Sequence, residues 1–206
     1  MRRRLAVLLS GRGSNFDAIR RAIETDALEA EIVAVISNRP DALGLERARD
    51  AGLPAFIVDH RRFPTREAHE EQLVRILDEV KPHFIVLAGY MRMLSPSFVA
   101  RYPRRIVNIH PSLLPAFPGL GAQAQALAHG ARVSGCTVHF VDETLDDGPI
   151  IEQRAVEVLE DDTEETLSAR ILEQEHRAYV AALARLCEGN YRVDGRRVIF
   201  GKGPRT

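Results

Sequence analysis

Asn108 and His110 stand two positions apart in the run NIHPSLLP (108–115), at the end of an apolar stretch that a proline closes. Side chains of a strand alternate between faces, so an amide and an imidazole at this spacing project to one side, with Val107 and Ile109 on the other. Pro111 has no N–H for a ladder, so the strand is expected to end at His110 and to leave the pair at its carboxyl end, where open α/β sheets bind ligands. The chemistry that fits lies at a carbonyl carbon. A neutral Asn amide holds an oxygen on which charge develops, an effect of about 3 kcal/mol, and an imidazole beside it gives or takes a proton near neutrality. That ring needs a partner. The loop ETLDDGPII (143–151) offers Asp146 and Asp147 ahead of a Gly-Pro turn, and a carboxylate there would hold the imidazolium. On residue types alone, a His-Pro at a strand end is equally a capped turn, and acids before Gly-Pro are ordinary turn formers.

A second cluster, GRGSN (11–15), falls where a first strand hands over to a first helix. Glycines let the backbone approach a ligand, Ser14 and Asn15 offer hydrogen bonds, and a helix N-terminus favours an anion, so phosphate is the natural guest. No Gly-Lys-Ser/Thr follows, which excludes a Walker loop. The third glycine of a dinucleotide fingerprint is missing, and the second strand ends in Asn38-Arg39 instead of the acid that would hold a ribose. A tight strand-to-helix turn is the alternative reading.

These residues need elements to position them. LAVLL (5–9), IVAVIS (32–37), AFIV (55–58) and FIVLAG (84–89) read as strands. Between them lie helical patterns: SNFDAIRRAIE with Phe16, Ile19 and Ile23 on one face, ALGLERARDAG closed by Gly52, and TREAHEEQLVRILDEV with Leu73, Ile76 and Val80. That alternation predicts a parallel sheet with helices on both faces. After residue 100 the pattern changes: RIVNIH (105–110), GCTVHFV (135–141) and PIIEQRAVEV (149–158) are strands, the last two joined so tightly that they should be antiparallel. A long helix is expected from Thr163 to Cys187, with Asp162 and Glu165 as its capping pair, and YRVDGRRVIF as a hairpin around Asp194-Gly195. GAQAQAL (121–127) reads as a loop.

The 206 residues carry a formal net charge of −1, with 45% apolar and 28% charged residues, which fits neither disorder nor general attraction to nucleic acid. Cys136 and Cys187 match no metal or CxxC spacing and read as reduced, as in a cytoplasmic protein. MRRRLAVLL imitates a secretory signal, but Leu5 to Leu9 is shorter than the ~7 to 15 residues of an h-region, and no stretch is long enough for a membrane span.

NIHPSLLP, LDDGPII, LSGRGSN, LAGYMRMLSP (87–96) and QEHRAY (174–179), in this order over nearly the whole chain, resemble the phosphoribosylglycinamide formyltransferases, folate-dependent enzymes of purine synthesis. The resemblance implies a Rossmann-like formyltransferase fold over residues 1–206: an α/β domain with a mostly parallel central sheet, antiparallel strands in the C-terminal half, and helices on both faces. Residues 1–100 would form the phosphate-binding half and 101–206 the folate-binding and catalytic half. It implies Asn108, His110 and Asp146 as the catalytic set. Gly13, Ser14, Asn15, Phe16 and Asp17 would line the glycinamide ribonucleotide site, with Leu172, Glu173, Gln174 and Glu175 closing its other side. The co-substrate 10-formyltetrahydrofolate would meet Arg66, Met91, Arg92, Met93, Leu94, Asn108 and the loop Asp142, Glu143, Thr144, Leu145, Asp146. No metal, nucleic acid or membrane partner is implied, and the protein would be a monomer or homodimer. Asp147 stands where some relatives have glycine, so either aspartate is a candidate to face His110. His139 is read as structural, and His60, His69, His83, His129 and His176 are given no chemistry.

Four rivals remain at this level, one of them a binding module in which the glycine loop merely senses a phosphorylated metabolite, which leaves the Asn/His/Asp set unexplained. A formyltetrahydrofolate hydrolase would use water as acceptor, but its kind carries an amino-terminal regulatory module, whereas this chain opens at the first strand. Methionyl-tRNA formylation would need an added carboxy-terminal domain and a basic face. A metal site of His110, His139 and Asp146 fits by residue type without a local motif.

Overall fold

A computed structural model describes residues 2–201. Two compact units are distinguished, one through residue 107 and one from residue 108 onward.

The first unit is β1 (Arg3–Leu9), α1 (Ser14–Glu24), β2 (Ala30–Ser37), α2 (Leu43–Asp50), β3 (Ala55–Ile57), α3 (Arg66–Val80), β4 (Phe84–Leu87), α4 (Pro96–Arg101) and the first residues of β5 (Ile106–His110). Its strands follow the order β3-β2-β1-β4, and each of these pairings is parallel. Leu5 to Leu9 are fully buried, as a strand between two others with covered faces requires. Phe16 and Ile19 of α1, Leu45 and Ala48 of α2, and Leu73 and Leu77 of α3 complete that core. Chain order runs outward from β1 to β3 and resumes on the other side with β4. The carboxyl ends of β1 and β4 therefore frame a topological switch point, the place where such sheets hold ligands.

The second unit carries α5 (Ala122–Ala128), β6 (Val133–Phe140), β7 (Ile150–Glu157), α6 (Glu164–Glu188), β8 (Tyr191–Asp194) and β9 (Arg197–Phe200). Its strand order is β5-β6-β7-β9-β8, with β6 and β7 antiparallel as expected. Leu167, Ile171, Tyr179, Leu183 and Leu186 of α6 are fully buried, and the helix packs on β6 and β7. The hairpin β8–β9 pairs Asp194 with Arg197, so its turn residues are Gly195 and Arg196. It is tied down by the Arg185 guanidinium, 3.7 Å above the Phe200 ring.

The structure corrects three local readings. The cap of α6 is Thr163, whose side chain accepts from the Thr166 N–H while the Thr166 hydroxyl accepts from the Thr163 N–H. Asp162 instead accepts from the Leu159 N–H at 2.7 Å and pairs with Arg170. Residues 122–128 form a helix where a loop was expected. His69 lies on the inner face of α3, 1% exposed, with Nε2 2.9 Å from the Val58 carbonyl. Cys136 and Cys187 form no disulfide, and burial pushes the Cys136 thiol up to about 12. Among the described residues no helix is long and apolar enough to cross a membrane.

Candidate active site

β5 ends at His110, as Pro111 dictates, and the segment after it is pinned to the neighbouring strands. The Leu114 N–H donates to Thr137 Oγ1 at 3.0 Å, the Thr137 hydroxyl donates to the Ser112 carbonyl at 2.7 Å, and Gln153 Nε2 donates to the Leu114 carbonyl at 2.9 Å. This anchoring fixes the direction in which Asn108 and His110 leave the strand.

Around the His110 ring three groups converge. Asp146 Oδ2 lies 3.4 Å from Nδ1. The Phe117 carbonyl lies 2.9 Å from Nε2. The third, Asn108, stands on the same strand face and turns its Nδ2 to His139 Nε2 at 3.3 Å. Asp146 also accepts from the Gly119 N–H at 2.9 Å, and its second oxygen, Oδ1, is 3.8 Å from His139 Nε2. Asp147 takes no part, being paired with Arg196 of the hairpin. The carboxylate that faces His110 is therefore that of Asp146, while Asp147 turns to a residue 49 positions away. His139, read as structural, belongs to the cluster. It is 1% exposed, and burial lowers its pKa, favouring the neutral ring. Both faces of β6 are buried, so alternation along the strand carried no signal for it. Among the described residues no three His, Cys, Asp or Glu side chains could hold a metal ion.

The glycine loop builds a separate site in the first unit. Gly13 caps α1 at φ +74° and supplies no side-chain cap, so the positive end of the helix opens into a cavity of about 470 Å³. Ser14 and Asn15 line it, with Arg12, Arg39, Arg92 and His60, and the Arg39 guanidinium is paired with Asp41. Arg39 and His60 were not foreseen; the only signal was a basic residue ending the second strand where an acid was sought. Ser10 links the two strand ends: its Oγ accepts from the Met91 N–H at 2.8 Å and donates to Asn38 Oδ1 at 2.6 Å.

The remaining expected residues divide. Phe16 puts its ring in the core, fully buried, and Asp17 is paired with Arg20 at 3.2 Å and Arg47 at 2.8 Å, so neither side chain is placed to take a phosphate. Met91 and Met93 are 71% and 60% exposed, which excludes core packing. Arg92 and Leu94 are half-buried, and Arg66 is exposed on the first turn of α3. Asp142 accepts from the Thr144 N–H at 3.0 Å and shapes the loop in which Glu143 and Leu145 face solvent. Leu172, Glu173, Gln174 and Glu175 are consecutive on α6, about 100° apart around the axis, and do not share a face: Glu175 is buried and Glu173 exposed.

Comparison with known proteins identifies a family for the chain as a whole. The model of the family described as formyl transferase matches residues 3–183. A phosphoribosylglycinamide formyltransferase of Escherichia coli (strain K12) is 43% identical over 92% of this chain and 89% of its own length. The trifunctional purine biosynthetic protein adenosine-3 of Drosophila pseudoobscura pseudoobscura is 52% identical over 93% of this chain, which spans only 14% of that protein. The crystal structure of glycinamide ribonucleotide transformylase 1 from Symbiobacterium toebii superposes with a TM-score of 0.94 at 48% identity, covering 97% of this chain and 94% of that one. With the family model, the sequence identities and the superposition all agreeing over most of its length, the chain belongs to the formyl transferase family.

Proposed function

We propose that the protein transfers the formyl group of 10-formyltetrahydrofolate to the amine of glycinamide ribonucleotide in purine biosynthesis, in the cytoplasm. The observation that carries this reading is the convergence of Asp146 on His110 at 3.4 Å, on the strand face that also bears Asn108. The amine attacks the formyl carbon, a C–N bond forms, and charge gathers on the formyl oxygen. An N–H of Asn108 and the positive charge of His110, held in place by Asp146, favour that oxyanion over the neutral carbonyl. Collapse breaks the bond to the folate nitrogen, which gains a proton while the attacking nitrogen loses one, through a water held by Asp146. The ribonucleotide phosphate is assigned to Gly13, Ser14 and Asn15 with the cavity arginines, whose charge and open helix end suit a dianion. The folate is assigned to Arg66, Met91 to Leu94 and Asp142 to Asp146. Exposed methionines suit a flat apolar ring.

The test follows deformylated folate by absorbance, after mixing the protein with a 10-formyl folate with and without glycinamide ribonucleotide. Release that requires the ribonucleotide supports the transferase. Equal release in its absence identifies a hydrolase and overturns the proposal.

A further inference from the structure

His139 is a buried ring that the reaction above does not use, and both of its nitrogens face named groups. Nδ1 is 2.9 Å from the carbonyl of Phe140. A carbonyl only accepts, so Nδ1 carries the proton. A neutral ring protonated there has a bare Nε2, and that atom lies 3.3 Å from the Asn108 amide nitrogen. We infer that His139 is a positioning residue: its Nδ1–H tautomer, fixed by its own strand's backbone, makes Nε2 an acceptor that takes one N–H of Asn108 and thereby aims the other at the formyl oxygen. This rests on the formyl-transfer reading and assigns that reading's neutral donor its orientation.

An Asn amide can be turned end for end at little steric change, and only the donor end serves an oxyanion. With Nε2 bare, the flipped amide would set oxygen against a lone pair, so the ring selects one orientation. The carboxylate of Asp146 is the competing influence, with Oδ1 3.8 Å from Nε2. That distance exceeds a hydrogen bond. The carboxylate already faces His110 and accepts from the Gly119 N–H, so it has partners without a second protonated ring. Burial works the same way, lowering the pKa of His139. The register of β6 on β7 slips between Val138 and His139, a device that re-aims side chains near functional sites.

Two measurements test this. The first is the 15N spectrum of the imidazoles in the native protein, with His139→Gln used to assign the resonance. A protonated Nδ1 and bare Nε2 at neutral pH are expected, and a protonated Nε2 overturns the inference. The second is kinetic. His139→Leu should lower kcat by about tenfold or more, with KM for both substrates within about twofold. His139→Gln, whose Oε1 takes the place of Nε2, should recover most of the loss. In an Asn108→Ala background His139→Leu should cause no further loss, because the group it positions is gone. An equal loss in both backgrounds, or an unchanged kcat in His139→Leu, would sink the inference. A native protein that never transfers formyl to the ribonucleotide would instead sink the reading beneath it, and the spectrum would still report the tautomer.

Discussion

His110 is held between two acceptors that both sit on strained backbone. Phe117, whose carbonyl faces Nε2, has φ +53°, and Asp146, whose carboxylate faces Nδ1, has φ +51°. Neither is glycine, and left-handed backbone costs a non-glycine residue about 1 kcal/mol or more. The chain accepts that strain at the two points that set the imidazole. A carbonyl only accepts, so the Nε2–H of the ring donates to Phe117, while the Asp146 carboxylate faces the Nδ1 side. Asp146→Asn tests the role of the charge. Asparagine tolerates left-handed backbone and still accepts from the Gly119 N–H, so thermal stability should stay within about 1 kcal/mol. It cannot balance the imidazolium, and kcat should fall by about 10². A kcat within threefold of the native value would remove Asp146 from the mechanism. Asn108→Ala removes the neutral donor, with an expected loss of about 10² in kcat. The sequence carried Asn108 and His110 through strand periodicity alone. It did not carry the choice between Asp146 and Asp147, which depends on the hairpin turn that offers Arg196.

At the scale of elements, the phosphate cavity depends on two backbones that touch. A Cβ on Gly13 would come within 2.6 Å of the Gly44 Cα, and one on Gly44 within 2.8 Å of Leu9 Cδ2. α1 and α2 therefore start against each other, and Gly13 must also sit at φ +74°. Gly13→Ala should lower stability by about 1 to 3 kcal/mol and raise KM for the ribonucleotide with little change in KM for folate. A selective effect on folate would contradict the assignment of the loop. At the other end of the chain, Thr163→Ala removes one arm of the α6 cap and should cost about 1 kcal/mol in urea denaturation without altering kcat. The bounds of α1 were legible to the residue, because a glycine loop, a polar pair and a clean apolar face coincide there. The cap of α6 was misplaced by one position. Asp162–Glu165 and Thr163–Thr166 have the same spacing, and only the capture of Asp162 by Arg170 and the Leu159 N–H decides between them. The seven residues of α5 span about two turns, too short a stretch for periodicity to separate helix from loop.

The molecule as a whole should lose stability in acid in two stages, because its perturbed groups fall into two classes. His69, His83 and His139 all have pKa values lowered from 6.5, chiefly by burial. The unfolded chain binds more protons than the native one between 6.5 and those lowered values, so stability rises with pH across that interval. Their contribution is complete above 6.5 and is lost as pH falls through the native values. The carboxylates act lower. Asp59 is held down to about 2 by its hydrogen bonds with Arg61, and Asp162 is held well below the usual range by Arg170. Both contributions are present above about 3.8 and vanish as pH drops further. Urea midpoints should therefore fall as pH drops below 6.5, and a further fall should set in below about 3.8. His69→Gln separates the histidine stage from the rest, since an amide N–H can still reach the Val58 carbonyl but has no proton to gain. It should reduce the upper stage, to which His83 and His139 still contribute, and leave the lower one intact. A native midpoint that does not move as pH drops from 7.5 through 6.5 and below would show that the buried histidines do not govern it, and an equal upper-stage fall in His69→Gln would remove His69 from that stage.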